Sequence, residues 1–171
     1  MTVRRVTKPK TKPITTIEME IAIAKMFGIR QHIIVPNLSW GLTGMHECDL
    51  FLIKKSGVSV EIEIKRSKSD FLADFKKGHN HKDRYNRITE FYYAFPEDLI
   101  DKCIELIPEH AGIISCKRWI DYNKEEWVSA QIKRPPKRIK GARKLTEEEQ
   151  LKVARLGCMR IFPLKEKLIK S

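Results

Sequence analysis

Asp49 interrupts an otherwise apolar run, Cys48-Asp-Leu-Phe-Leu-Ile, and the chain returns a short way on to Glu63-Ile64-Lys65. If these two runs pair about a turn centred near Ser56, Asp49 falls opposite Glu63 to within one residue of register. Lys65 shares the face of Glu63 two residues on, about 7 Å along the strand. Two carboxylates and an ammonium then converge at the mouth of a sheet. Such hard oxygen donors suit Mg²⁺ or Mn²⁺, ions that keep part of their water shell and accept phosphate oxygens as further ligands. A lysine beside the ion can orient the attacking water or help deprotonate it. The first helix adds a third acid. At 100° per residue Glu20 falls between Ala24 and Phe27 on the apolar side, and an isolated inward carboxylate is costly unless it finds a partner, which a metal site would supply. Glu18 lies on the wet side and reads as a cap.

The elements that must hold these residues are legible in outline. Thr15 or Thr16 caps a helix that runs to about Phe27, with Glu18 at capping-box distance from Thr15 and Gly28 as the stop. His32–Pro36 reads as a short strand and 37–46 as a loop. Strands over about Glu47–Lys54 and Val58–Lys65 flank Lys55-Ser56-Gly57, a hairpin signal. In the second of them Val58, Val60, Ile62 and Ile64 face one way and Ser59, Glu61, Glu63 and Lys65 the other, Glu61 being read as solvated. Ser67 or Ser69 caps a helix to about Lys77, in which Asp70 and Asp74 are read as structural. A polar loop follows over 78–84. Glu90–Phe95 is an aromatic strand, Pro96 opens a helix to about Ile107, and Ala111–Cys116 and Glu126–Ile132 are further strands. The spacing therefore predicts a single α/β domain with a mixed sheet, in the order α-β-β-β-α-β-α-β-β-α. Its organisation is a basic arm over 1–13, a core over 14–132, an exposed basic linker over 133–144 and a helical segment over 145–171.

Composition narrows the partners. The 171 residues carry 34 Lys and Arg against 22 Asp and Glu, a net charge of +12, which favours a polyanion, nucleic acid ahead of a membrane surface. No apolar run approaches the roughly 18 residues of a membrane span, and the start lacks the apolar stretch of a secretion signal. Four cysteines without a CxxC pair fit reduced thiols, and the whole reads as a cytoplasmic protein. No Gly-rich phosphate loop and no GxSxG occur, so nucleotide hydrolysis and acyl transfer find no support. His79-Asn80-His81 cannot form a ββα-metal nuclease site, whose residues must stand tens of positions apart. Trp40, Trp119 and Trp127 are read as core in preference to base-stacking platforms.

Asp49 followed by Glu63-Ile64-Lys65 resembles the PD-(D/E)xK nuclease core, which is built as α-β-β-β-α-β. The longer run from Glu61 to Lys76 is similar to a narrower branch, the MmcB-like DNA repair proteins and their phage relatives, through Glu63, Lys65, Ser67, Asp70, Phe71, Asp74 and Lys76. Tyr85, Phe91-Tyr-Tyr-Ala-Phe-Pro and Ala111-Gly-Ile-Ile extend the likeness over residues 14 to 120. Cys48 stands where the pattern has its proline. The resemblance implies a metal-dependent nuclease fold acting on DNA, in repair, recombination or phage DNA processing, in the nucleoid or a host cytoplasm. Asp49 and Glu63, with the Ile64 carbonyl, would ligate Mg²⁺ or Mn²⁺. Lys65 would be the catalytic lysine and Glu20 an auxiliary acid. Homodimers that cut both strands are common in the superfamily. DNA phosphates would be met by the basic arm, by Lys77, Lys82, Arg84, Tyr85 and Arg87, and by the linker residues Lys133, Arg134, Lys137 and Arg138. A non-cleaving DNA-binding module on this fold, or a basic RNA-binding protein, are the rival expectations.

Overall fold

The structure is a computed structural model that describes residues 12–39, 47–76, 87–121 and 123–170. Helix α1 (Thr16–Phe27) starts and stops where its sequence says it should. The Thr15 hydroxyl accepts the Glu18 N–H, the Glu18 carboxylate reaches back to Thr15, and Gly28 closes the helix in the left-handed conformation at φ 88°. Strands β1 (Ile33–Leu38), β2 (Cys48–Ile53) and β3 (Ser59–Ile64) follow, then α2 (Lys68–Lys76), β4 (Glu90–Pro96), α3 (Glu97–Cys103) and a single 3-10 turn. The chain continues with β5 (Gly112–Ile120), β6 (Glu126–Arg134), α4 (Glu147–Met159) and α5 (Ile161–Lys170). The first six elements thus run α-β-β-β-α-β.

The six strands form one mixed sheet in chain order, with β3, β4 and β5 parallel and the flanking pairs antiparallel. Both faces are covered. On one, Met19 and Ile23 of α1 pack against Leu50, Leu52, Val60, Ile62, Tyr92 and Ile114. On the other, Phe71 of α2 and Leu99 and Ile100 of α3 meet Phe91, Tyr93, Phe95 and Ile113, while Val153 of α4 and Leu145 seat against Val35, Phe51 and Ile53. The result is a single α/β domain with a mixed sheet between helical layers.

Three differences from the sequence expectation have physical causes. Strand β5 runs on to Ile120 because β6 keeps pairing with it beyond the end of β4. The stretch expected as an exposed basic linker is tied down instead: Lys133 and Arg134 complete β6, and Lys137, Ile139 and Leu145 donate backbone N–H bonds to His110, Thr89 and Gly57. Ala142 and Leu145 of this strap are buried. The final helix divides in two at Arg160, because Pro163 has no N–H to return to the preceding turn.

Candidate active site

The β2–β3 register, Leu50 to Ile62 and Phe51 to Glu61, continues to set Asp49 opposite Glu63. Asp49 turns inward: its Oδ2 accepts the backbone N–H of Ile64 at 2.7 Å. The Ile64 side chain itself belongs to the core beneath α1. Burial and then the charge of Glu63 push the Asp49 carboxyl up to about 6, against the pull of the Ile64 N–H and of Lys65. Glu20, on the partly buried side of α1, is raised for the same two reasons, burial first and then the charge of Asp49. Asp49 of β2 is therefore repelled by Glu63 of β3 and itself raises Glu20 of α1, at one end of the sheet. The neighbouring Cys48 thiol is pushed up as well, by burial and by Glu61, Glu63 and Asp49, so it stays protonated and is no nucleophile.

Lys65 follows directly on β3, where its N–H donates to Ala94 of β4. Its ammonium lies between two acids, donating to Glu63 Oε2 and to Asp74 Oδ1, each at 3.1 Å. The Tyr93 hydroxyl donates to the other Asp74 oxygen at 3.0 Å, and Glu63 and Tyr93 are register partners on adjacent parallel strands. All four side chains are buried. Burial opposes the charge on Lys65, but the Glu63 and Asp74 carboxylates outweigh it and hold the ammonium above its ordinary range. Asp74 reaches this position because Ser67 caps α2, accepting the Asp70 N–H, and Phe71 anchors the helix on Tyr93 and Phe95. Asp74 and Tyr93, read from sequence as helix and sheet structure, are thus part of the site. The spacing places Asp74 one turn beyond Asp70 on the face of Phe71, but its meeting with Lys65 and Tyr93 comes from the packing of α2 on β4. Glu61 corrects a second expectation: it is wholly buried, not solvated, because the Ser59–Glu63 face lies beneath the strap and helices.

Among the described residues no group of three Asp, Glu, His or Cys side chains forms a ready-made metal site. The donor set nonetheless fits Mg²⁺ or Mn²⁺. Such an ion is ordinarily held by one or two carboxylates plus waters and substrate phosphates, without a closed protein cage. A cation there would also offset the burial, and after it the repulsion, that disfavour the ionised forms of Asp49 and Glu20.

The expected DNA contacts fare differently. Lys77, Lys82, Arg84 and Tyr85, the His79-Asn80-His81 run, Trp40 and residues 1–11 of the basic arm lie outside the described residues. Arg87 pairs with Glu149 of α4 at 2.9 Å. Lys133 stands 3.8 Å from Glu97, and Lys137 pairs with the exposed Glu109. Arg134 has a structural role: its guanidinium donates to the carbonyls of Ala111 and Pro108, 2.8 Å to each. Arg138 donates to Ala142 O at 3.2 Å within the strap. Trp119 and Trp127, expected in the core, stand on the surface.

No family model matches the chain, and no curated protein matches it. Among solved structures it is similar to a protein of unknown function from Silicibacter pomeroyi, at 16% identity and a TM-score of 0.59, over 93% of this chain and 92% of that one. That likeness is one of fold.

Proposed function

We propose that this protein is a Mg²⁺- or Mn²⁺-dependent deoxyribonuclease of PD-(D/E)xK type that hydrolyses phosphodiester bonds in DNA, within the cytoplasm or nucleoid. The observation that carries the reading is the convergence, at one end of β2 and β3, of two repelling carboxylates and a buried, charged lysine. Asp49 and Glu63 would hold the metal, with the Ile64 carbonyl available beside them and Glu20 adding negative charge from α1. When bound, the ion supplies a Lewis acid for the phosphoryl oxygen and a more acidic water. Lys65 holds a proton at Nζ between Glu63 and Asp74, so its part is to orient and to neutralise developing charge. Asp74 fixes the ammonium, and Tyr93 fixes Asp74.

The test is cleavage of a supercoiled plasmid in Mg²⁺, Mn²⁺ or EDTA by the native chain and by Glu63→Gln. Glutamine keeps an acceptor for Lys65, whereas Lys65→Ala would leave two buried acids facing one another, at a cost of about 3–5 kcal/mol. Metal-dependent cutting that vanishes in a folded Glu63→Gln protein with DNA binding retained is the expected result. Undiminished cutting by the variant removes the assignment. A second reading, a DNA-binding module that does not cleave, is favoured by the saturation of Lys65 by its two acids. Salt-sensitive binding with no cutting in either metal would select it.

A further inference from the structure

We propose that the outer ends of β5 and β6 form a stacking platform for unpaired bases, so that the DNA taken by this site carries a single-stranded stretch. The inference rests on the nuclease reading for its enzymatic meaning, but the binding it describes needs no cleavage.

Pairing with β4 ends at Cys116, whereas β5 and β6 stay paired to Ile120 and Glu126. Beyond the sheet they are a two-stranded ribbon, which on its own would be marginal. One face is held down. The Arg118 side chain, only 6% exposed, bridges Glu18 at 2.8 Å and Glu126 at 3.0 Å and donates to the carbonyls of Lys12 and Pro13. No described residue covers the opposite face, and there the register sets Trp119 directly across from Trp127. They are 45% and 48% exposed.

A cross-strand aromatic pair stabilises a sheet by about 0.2–1 kcal/mol, and that could be had with smaller residues. Trp119 is also preorganised. The Trp119 N–H donates to Ser129 Oγ at 2.8 Å, and Lys117 Nζ lies 4.9 Å from the ring centroid. Half-exposed indoles, one of them held in place, are surfaces on which splayed nucleobases stack, and the Lys117 ammonium over Trp119 would move aside or pair with a phosphate as a base settles. Bases inside a duplex are already stacked and do not reach such a surface. The nearby charges nearly cancel, Lys117, Lys124 and Lys133 against Glu97, Glu125 and Glu126. The ribbon therefore adds affinity for bases and little for the phosphate backbone.

Its placement fits the site. Glu63, Tyr93 and Ile113 share one row across the parallel strands, and Trp119 lies on the same face further along β5. Strand geometry sets Trp119 about 16 Å from Lys65, with Trp127 one strand further, a span that a few nucleotides of unpaired strand cover. A strand engaged at the acids can thus lay an unpaired base on the ribbon.

The experiment measures binding of a labelled oligo-dT and of a blunt duplex of equal length by fluorescence anisotropy. It uses the full chain carrying Glu63→Gln, in EDTA, so that nothing is cut. Trp119→Ala and Trp127→Ala are each expected to weaken oligo-dT binding about tenfold, duplex binding less than about threefold, and to leave the salt slope unchanged. Trp119→Phe and Trp127→Phe should recover most of the affinity and separate stacking from collapse of the ribbon. Alanine variants that keep the native circular dichroism and bind oligo-dT as tightly as the parent overturn the inference. So does an equal weakening for both DNAs, or an unchanged DNA affinity with a new, smaller sedimenting species, which would make the tryptophans a protein contact. The two readings fail separately: Trp-dependent oligo-dT binding without metal-dependent cutting leaves the platform standing, and cutting with Trp-independent binding removes only the platform.

Discussion

Asp49 is the residue on which chemistry and stability meet. Its carboxyl is raised from 3.8 to about 6, by burial first and then by Glu63. A raised acid holds its proton in the folded chain over a range where the unfolded chain has released it. The folded state therefore binds more protons between about pH 4 and pH 6, and the contribution of this group to stability falls as pH rises through that window. At 1.36 kcal/mol per unit the decrease is at most about 3 kcal/mol. Asparagine imitates the protonated form at every pH. In EDTA, the stability of Asp49→Asn relative to the native chain should therefore rise between pH 4 and 7, as read from urea melts. Mg²⁺ should shrink that difference, because a cation stabilises the ionised carboxylate. Parallel pH profiles for the two proteins would show that Asp49 does not titrate in this window and is not crowded by Glu63.

At the scale of elements, what is legible in the sequence is local. The Thr15 capping box, the Gly28 stop, the Gly57 turn and the placing of Asp49 opposite Glu63 all follow from short-range rules, and all appear in the structure. Alternation along β3 tells which residues share the face of Glu63 but not what covers that face, and so the burial of Glu61 does not follow from it. Asp74 and Tyr93 join Lys65 only through the packing of α2 on β4, which no local pattern encodes. The strap after β6 is hidden because its few apolar anchors, Ile139, Ala142 and Leu145, are scattered among seven basic residues. That strap makes the hairpin turn more than a turn. Gly57 sits at φ 80°, its carbonyl accepts the Leu145 N–H at 2.9 Å, and a Cβ there would meet Leu145 O at 3.3 Å. Gly57→Ala is expected to cost about 1–2 kcal/mol from the left-handed backbone alone. Hydrogen exchange at the Leu145 amide should quicken with it. An unchanged melting temperature together with unchanged Leu145 protection would mean that the strap is not anchored on this turn.

The charge of the whole molecule invites a simpler story than the structure permits. A net +12 fits a polyanionic partner, yet a basic residue adds to backbone affinity only if it is free to exchange its present partner for a phosphate. Lys133 and Lys137 are free in that sense, since their acids Glu97 and Glu109 are themselves exposed and surface pairs of this kind are weak. Arg134 is not. Its fork satisfies the carbonyls of Pro108 and Ala111, where the chain turns from α3 into β5, and removing it strands the acceptor of the buried Ala111 at about 1–3 kcal/mol. Two neighbours in sequence, Lys133 and Arg134, should therefore behave oppositely. If DNA crosses this edge of the sheet, the Lys133→Gln, Lys137→Gln double variant should fold normally. Its slope of log affinity against log salt should be shallower by about 0.9 for each phosphate that the lysines no longer neutralise. Arg134→Ala should lower the melting temperature and, once folded at low temperature, keep the native salt slope. The reverse pattern, a stable Arg134→Ala protein with a reduced slope, would return that arginine to the DNA surface and show that the carbonyls of the β5 approach are satisfied without it.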